Sequence, residues 1–347
     1  MNHFTAHILH FHCQVQTPIV LNEHQGSAVR GALFHALRRQ FCYNKEAESC
    51  GECPLSGTCP ICFLMATRDE KGYRGVEVPR PYVVAVQPPP APGAGGRGPR
   101  YEPGQPIDFS LTLFAQALNL FPYVILAVRH LEQGGLGLRV NKGRRRGTFQ
   151  VQAIAAHNPL TGERQAVLES ADRPAAGLAA GSQIQVPDVP VTHQQVLQAA
   201  QTLPRRGPLT IEFRTPTRLT DDKRTLHQPA FRPLFQRLLE RLSALARTFT
   251  DTPLELDFRA LVDVAGAVDT LSDETRWVEL ESYSTRKRGR TPASGFVGRA
   301  TFQATDWTPF APWLLWGQFT HVGKNAVKGN GQYRIVGGVT LHLIDIS

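Results

Sequence analysis

FRPLFQRLLERLSALARTF, running from Phe231 to Phe249, sets Phe231, Leu234, Phe235, Leu238, Leu239, Leu242, Leu245, Ala246 and Phe249 at offsets 0, 3, 4, 7, 8, 11, 14, 15 and 18. That period predicts one long helix with a single buried stripe. Ahead of it, LTIEFRT (Leu209 to Thr215) alternates and predicts a strand. Behind it come expected strands at Trp277 to Arg286 and Gly295 to Ala304, and a short helix at Pro309 to Phe319. Gln332 to Val336 and Val339 to Ile346 read as closing strands. Strand, helix, strands, helix, strand is the order of a ferredoxin-like unit, an antiparallel sheet with both helices on one face.

The first half repeats that order. Residues 3–15 alternate as a strand, and GSAVRGALFHALRRQF (Gly26 to Phe41) predicts a helix. Ser27 is its expected N-cap, and Val29, Leu33, Ala36 and Leu37 form its apolar face. PYVVAVQ (Pro81 to Gln87) reads as a strand and Pro88 to Pro106 as a loop. Ile107 to Ala117 reads as a strand, Pro122 to Glu132 as a helix, and Thr148 to Ala155 as a strand after a Gly/Arg-rich stretch, Gly134 to Gly147. Residues 156–190 read as irregular. Prolines framing Arg205 to Gly207 mark the expected boundary. The chain is thus expected to be α+β, with two tandem ferredoxin-like domains. The first spans 1–205 and carries a cysteine-rich insert (42–62); the second spans 206–347 and carries a glycine-rich loop.

Length and composition agree with two folded domains: 347 residues, 41 % of them apolar, exclude a disordered chain. Phe121 to Val128 is among the longest apolar stretches, far short of the roughly 20 residues that span a bilayer. Histidines interrupt MNHFTAHILHFHC where a signal peptide needs an apolar core, so a cytoplasmic protein with no membrane partner is expected. The formal charge of +9 makes nucleic acid the first partner to consider.

Cys50, Cys53, Cys59 and Cys62 read C-x2-C-x5-C-x2-C, with Cys42 ahead of them. Two such knuckles can place four thiolates around a structural Zn²⁺, and a closed site of that kind leaves no position for chemistry. An iron–sulfur cluster and merely reduced thiols stay open. In GKNAVKGNGQYRIV, Gly323, Gly329 and Gly331 would let backbone approach a ligand, and Lys324, Lys328 and Arg334 add positive charge. Two basic stretches complete the inventory. Arg139, Lys142, Arg144, Arg145 and Arg146 sit among glycines; Arg286, Lys287, Arg288 and Arg290 lie between two expected strands.

GSAVRGALFHALRR, CGECPLSGTCPICFLM, IEFRTPTRL with FQRLLERLSAL, SGFVGRATF and HVGKNAVKGNGQYRI together resemble the CRISPR-associated endoribonucleases of the RAMP (repeat-associated mysterious protein) superfamily. The resemblance implies two tandem ferredoxin-like domains and cleavage of CRISPR precursor RNA within its repeats. It also implies a metal-independent reaction that leaves a 2′,3′-cyclic phosphate and a 5′-hydroxyl. Such a reaction needs a base for the ribose 2′-hydroxyl, a cation for the transition state and a proton for the leaving 5′-oxygen.

Among 12 histidines, His35 is the chosen catalytic group. It lies opposite the apolar face of the first helix with Gly31, Arg38 and Arg39 as neighbours, and the family's catalytic histidine commonly lies on or beside that helix. His24 is the runner-up, His10 and His12 read as structural, and His321 could touch a phosphate. Arg38, Lys324 and Lys328 stay open as the catalytic cation, with Arg38 and Lys324 carried forward beside His35. Arg144, Arg145, Arg286, Lys287, Gly323, Lys328, Gly329 and Gly331 are assigned to the RNA, and zinc to Cys50, Cys53, Cys59 and Cys62. Expected partners are CRISPR repeat RNA and other subunits of an effector complex. Two rival readings are a non-catalytic RAMP subunit that holds guide RNA and a zinc-dependent nucleic-acid-binding regulator.

Overall fold

The computed structural model describes residues 1, 3–47, 50, 53–65, 79–86, 98–140, 145–168, 183–284 and 289–337. Its residues gather into two compact units. One is built on His7–His157 with Glu163–Pro190; the other on the described part of Val191–Ile344 with Met1–Ala6 and Asn158–Gly162.

The first unit carries β1 (Thr5–Val15, whose first two residues belong to the other unit), β2 (Ile19–Val20), α1 (Gln25–Phe41), α2 (Pro60–Met65), β3 (Tyr82–Val86), β4 (Arg100–Tyr101) and β5 (Phe109–Phe114). It continues with α3 (Phe121–Gly134), β6 (Leu136–Val140), β7 (Arg145–Gly147), β8 (Phe149–His157) and β9 (Arg164–Leu168). Its sheet runs β3-β5-β1-β8-β9, so the first strand of the βαββαβ order lies inside, as a ferredoxin-like sheet requires. α1 and α3 pack on each other. Their buried residues, Val29, Leu33 and Leu37 from α1 with Val124, Ile125 and Val128 from α3, keep the helical period read from the sequence. Two expectations fail locally. Ser27 lies inside the first turn of α1, and the N-cap is His24, which makes no side-chain cap. Residues 164–168, expected to be irregular, pair with β8 as the edge strand β9, with Val167 turned into the core.

The second unit carries β10 (Val191–Thr192), α4 (His193–Ala200), β11 (Gly207–Thr217), β12 (Leu219–Asp221), β13 (Arg224–Leu226), α5 (Phe231–Phe249) and α6 (Phe258–Ala265). After these come β14 (Asp269–Val278), β15 (Glu281–Ser284), β16 (Gly289–Pro292), β17 (Gly295–Ala304), α7 (Ala311–Thr320) and β18 (Tyr333–Val336). The sheet order β14-β17-β11-β18 repeats the ferredoxin-like arrangement, with every pair antiparallel. α5 has the bounds its periodicity predicts, and all nine apolar positions of that stripe are buried. Phe231 sits among Phe235, Phe302, Trp307 and Phe310, with ring centroids 5.2–5.8 Å away. The expected closing strand at Val339 to Ile346 lies outside the described residues.

Gly317 shows how tightly α7 is seated. Tyr333 donates its hydroxyl to the Leu314 carbonyl at 2.7 Å, directly beneath the glycine. A Cβ at 317 would collide with that hydroxyl and stand 2.9 Å from Leu238 Cδ1. In an open helix, alanine would gain about 1 kcal/mol over glycine; here overpacking of about 1–3 kcal/mol and the displaced buried hydrogen bond reverse the sign. Gly317→Ala is therefore expected to lower the thermal midpoint, measured by calorimetry; an unchanged or higher midpoint would contradict this packing.

Candidate functional site

Burial of Val29, Ala32, Leu33, Ala36 and Leu37 turns the opposite face of α1 outward, and with it His35, Arg39 and Gln40. That face borders a cleft of about 790 Å³. α1 contributes His35, Arg38 and Arg39, the end of α3 contributes His130, and the β6–β7 hairpin contributes Arg139, Arg145 and Arg146. Lys45 adds a further basic group, and the described lining holds no carboxylate. The first unit thus brings His35 and Arg38, one turn apart on α1, together with Arg145 from far along the chain.

Electrostatics follow from that crowding. Partial burial, and then the guanidiniums of Arg146, Arg30, Arg38 and Arg39, hold the His35 pKa below its ordinary 6.5. Each opposes a proton on the ring. The imidazole is accordingly neutral at physiological pH, the state a general base requires. The arginines differ in freedom. Arg38 donates to the carbonyls of Lys45 and Ala47 at 3.0 and 2.8 Å, so it braces the loop after α1 as well as facing the cleft. Arg146 donates to the Gly137 carbonyl at 2.9 Å across its hairpin, and burial with Arg139 nearby lowers its pKa. Arg39, Arg139 and Arg145 are exposed.

His130 was not among the sequence candidates. Gln40 Nε2 donates to its Nδ1 at 3.0 Å, while its Nε2 is buried without a partner among the described residues. In sequence it stands in the polar RHLEQ end of an otherwise apolar helix, and its signals are the adjacent Arg129 and closeness to the basic stretch that follows.

The other histidines fall away from this cleft. His24 is buried at the start of α1. His12 pairs with Asp108 at 3.1 Å, and burial pushes His10 down to about 4. The phosphate contact considered for His321 is overturned: the ring is buried in the second unit, and its pKa is pushed down to about 3.

The glycine-rich loop belongs to the second unit. A Cβ on Gly323 would stand 2.5 Å from the Arg218 carbonyl oxygen, and one on Gly331 would collide with that of Val322. Gly329, at φ +93°, follows a short 3-10 turn, and its carbonyl accepts from Thr215 Oγ1 at 2.8 Å. These glycines thus allow the loop to cross its own chain. Lys328 donates to Ser282 Oγ at 3.1 Å, and Arg334 is paired with Glu212. Lys324 is exposed in this unit and is not part of the His35 cleft. Arg144, Arg286 and Lys287, like Lys142 and Arg288, lie outside the described residues.

The cysteines gather, but the expected zinc site is not supported. Among the described residues, no group of three or more Cys, His, Asp or Glu side chains is arranged to hold a metal ion. Cys62 is in hydrogen-bond contact with Cys50 and Cys59, Cys42 Sγ donates to the Asn44 carbonyl at 3.3 Å, and Asn44 Nδ2 donates to Cys53 Sγ at 3.8 Å. Burial raises the thiol pKa values of Cys50 and Cys62.

Residues 4–179, half the chain, match the AF_1859_N family model, described as an N-terminal domain. Residues 211–333 match the model of the CRISPR-associated endoribonuclease Cas6. No curated protein matches the sequence. Among solved structures, a Cas6 product complex superposes with a TM-score of 0.54 at 16 % identity, covering 96 % of this chain and 99 % of that one. Thermus thermophilus Cas6 gives 0.51 at 15 % identity over the same shares. A partial Cas6-RT-Cas1–Cas2 complex gives 0.52 at 12 %, covering 96 % of this chain and 46 % of that one. At these identities the superpositions establish the fold.

Removal of one positive neighbour should relieve the histidine. In Arg146→Ala, the His35 pKa, read from the pH dependence of its ring NMR signals, is expected to rise toward 6.5 from a lower wild-type value. A wild-type value at or above 6.5 would contradict the electrostatics of the cleft.

Proposed function

The chain belongs to the CRISPR-associated Cas6 endoribonucleases, with an AF_1859_N domain in its first half, and on that premise we propose that the His35 cleft cuts CRISPR precursor RNA without a metal ion. The observation that carries this reading is one imidazole held neutral among arginines in a lining with no carboxylate among the described residues. Hard divalent cations are bound by oxygen ligands, above all carboxylates; here guanidiniums offer the positive charge instead.

In the proposed reaction His35 takes the proton of the ribose 2′-hydroxyl, and that oxygen attacks the neighbouring phosphorus. The bond from phosphorus to the 5′-oxygen breaks, and the 5′-oxygen leaves with a proton supplied by an acid or by water. The products are a 2′,3′-cyclic phosphate and a 5′-hydroxyl. Arg145 and Arg146 meet the charge that grows on the non-bridging oxygens, where fixed donors stabilise a transition state most. Arg38 contributes charge from the loop it braces. Lys324 has no such placement within the unit, and its role in catalysis rests on the sequence reading alone.

Domains of 1–205 and 206–347 share the work in this reading, with repeat RNA bound largely by the second. Gly323, Lys328, Gly329 and Gly331 are assigned to that surface, as are Arg286 and Lys287 from the sequence alone, and Arg144 is assigned to RNA from the first domain on the same ground. Membership of an effector complex is a further expectation. Among the described residues no helix is long and apolar enough to cross a membrane.

His35→Ala should slow single-turnover cleavage of repeat RNA by about 10²–10⁴-fold, the usual worth of a general base, while affinity stays near wild type. Wild-type cleavage should persist in EDTA and yield the cyclic phosphate, with activity rising with pH through a midpoint below 6.5. Dependence on added Mg²⁺, or a wild-type rate in the variant, would overturn the mechanism. For binding, Arg145→Ala should weaken affinity and flatten the slope of log K against log[salt] by up to about one unit. An unchanged slope would make Arg145 a solvated surface residue.

A further inference from the structure

Beside the His35 cleft lies a second cavity of about 350 Å³, and Arg38 forms part of the wall of both. Phe41 at the end of α1 meets Tyr123 of α3 edge-on, with centroids 5.0 Å apart, and these rings make one side. The cysteine segment and α2 make the other. The volume sits at the lower end of small-molecule sites, roughly 300–1,000 Å³. The lining is largely apolar. A flat, neutral ring suits such a space. Two of its polar side chains are already engaged: Gln40 binds His130, and Asn44 binds Cys53 and the Ala47 amide. That leaves shape and stacking as the main means of recognition. At the rim stands Tyr43, 95 % exposed, an aromatic side chain in no ring contact among the described residues. An exposed ring beside an apolar cavity that opens next to phosphate-binding arginines is the arrangement that takes up an unstacked base.

We propose that this cavity holds one nucleobase of the RNA, next to the phosphate in the His35 cleft, stacked on Tyr43 and accepted largely regardless of its identity. The proposal rests on the assignment of the cleft to RNA. It also gives the cysteine segment a purpose that needs no metal: the segment is the wall of a base pocket.

The test uses the full chain and uncleavable repeat RNAs with a 2′-deoxyribose at the cut site. 2-Aminopurine or an abasic site is placed in turn at each position flanking the cut. With wild-type protein, one 2-aminopurine position should change its fluorescence on binding, and an abasic site there should weaken affinity. Tyr43→Ala should abolish that signal and raise Kd by about 5- to 150-fold, the range of single base–aromatic stacks. Tyr43→Phe should retain both. Combining Tyr43→Ala with the abasic RNA should cost no more than either change alone. Wild-type affinity in Tyr43→Ala for every RNA, or fully additive losses, would overturn the proposal. Tyr43 is exposed, so its substitutions leave folding intact. Cleavage by His35→Ala is read separately: full activity there would remove the catalytic assignment, whereas the Tyr43 and abasic measurements decide the pocket.

Discussion

Packing of α1 against α3 is the contact on which the site depends. Val29, Leu33 and Leu37 are withdrawn from water on one side of α1, and Val124, Ile125 and Val128 on the facing side of α3. Each such side chain contributes about 1.5–3 kcal/mol when fully buried. A helix committed in this way cannot rotate about its axis without exposing several apolar groups. His35 and Arg39 are consequently held outward, at a fixed distance from the end of α3. The same packing brings Gln40 within 3.0 Å of His130.

Charge repulsion then gives the cleft its chemistry. Arg38, Arg39, Arg139, Arg145 and Arg146 border one space with no carboxylate among its described lining, an arrangement that raises the free energy of the empty protein. Part of that cost is relieved locally, through backbone carbonyls that accept from Arg38 and Arg146. The remainder favours any polyanion that enters, and together with the partial burial of the ring, which is the larger cause, it lowers the His35 pKa. One cluster of charges thus serves affinity and the supply of neutral imidazole together. The first effect weakens with salt, since exposed charges are screened over about 10 Å at 0.1 M.

In the second unit the glycines solve a different problem. At one end of the segment from Gly323 to Gly331 a Cβ on Gly323 would meet the Arg218 carbonyl oxygen, and at the other a Cβ on Gly331 would meet that of Val322. Hydrogen bonds from Thr215 to Gly329 and from Asn330 to Ala293 hold it there. A Gly-rich, basic string therefore carries two readings, ligand approach and self-packing, and composition alone does not separate them.

What the sequence determined by itself is the part encoded within one or two turns of chain. The period of Phe231–Phe249 set the bounds of α5 and its buried stripe, and the smaller stripe of α1 already turned His35 toward solvent. The order of strands and helices in each half sufficed for two ferredoxin-like sheets. Tertiary structure decided the rest. It folded the arginine hairpin back beside α1, added His130 from the polar end of α3, buried His321, and gathered the cysteines without arranging them as metal ligands among the described residues. Local periodicity is read from neighbours three or four residues apart. Which distant faces meet depends on loop closure and on how several apolar surfaces share one core, and no single segment carries that information.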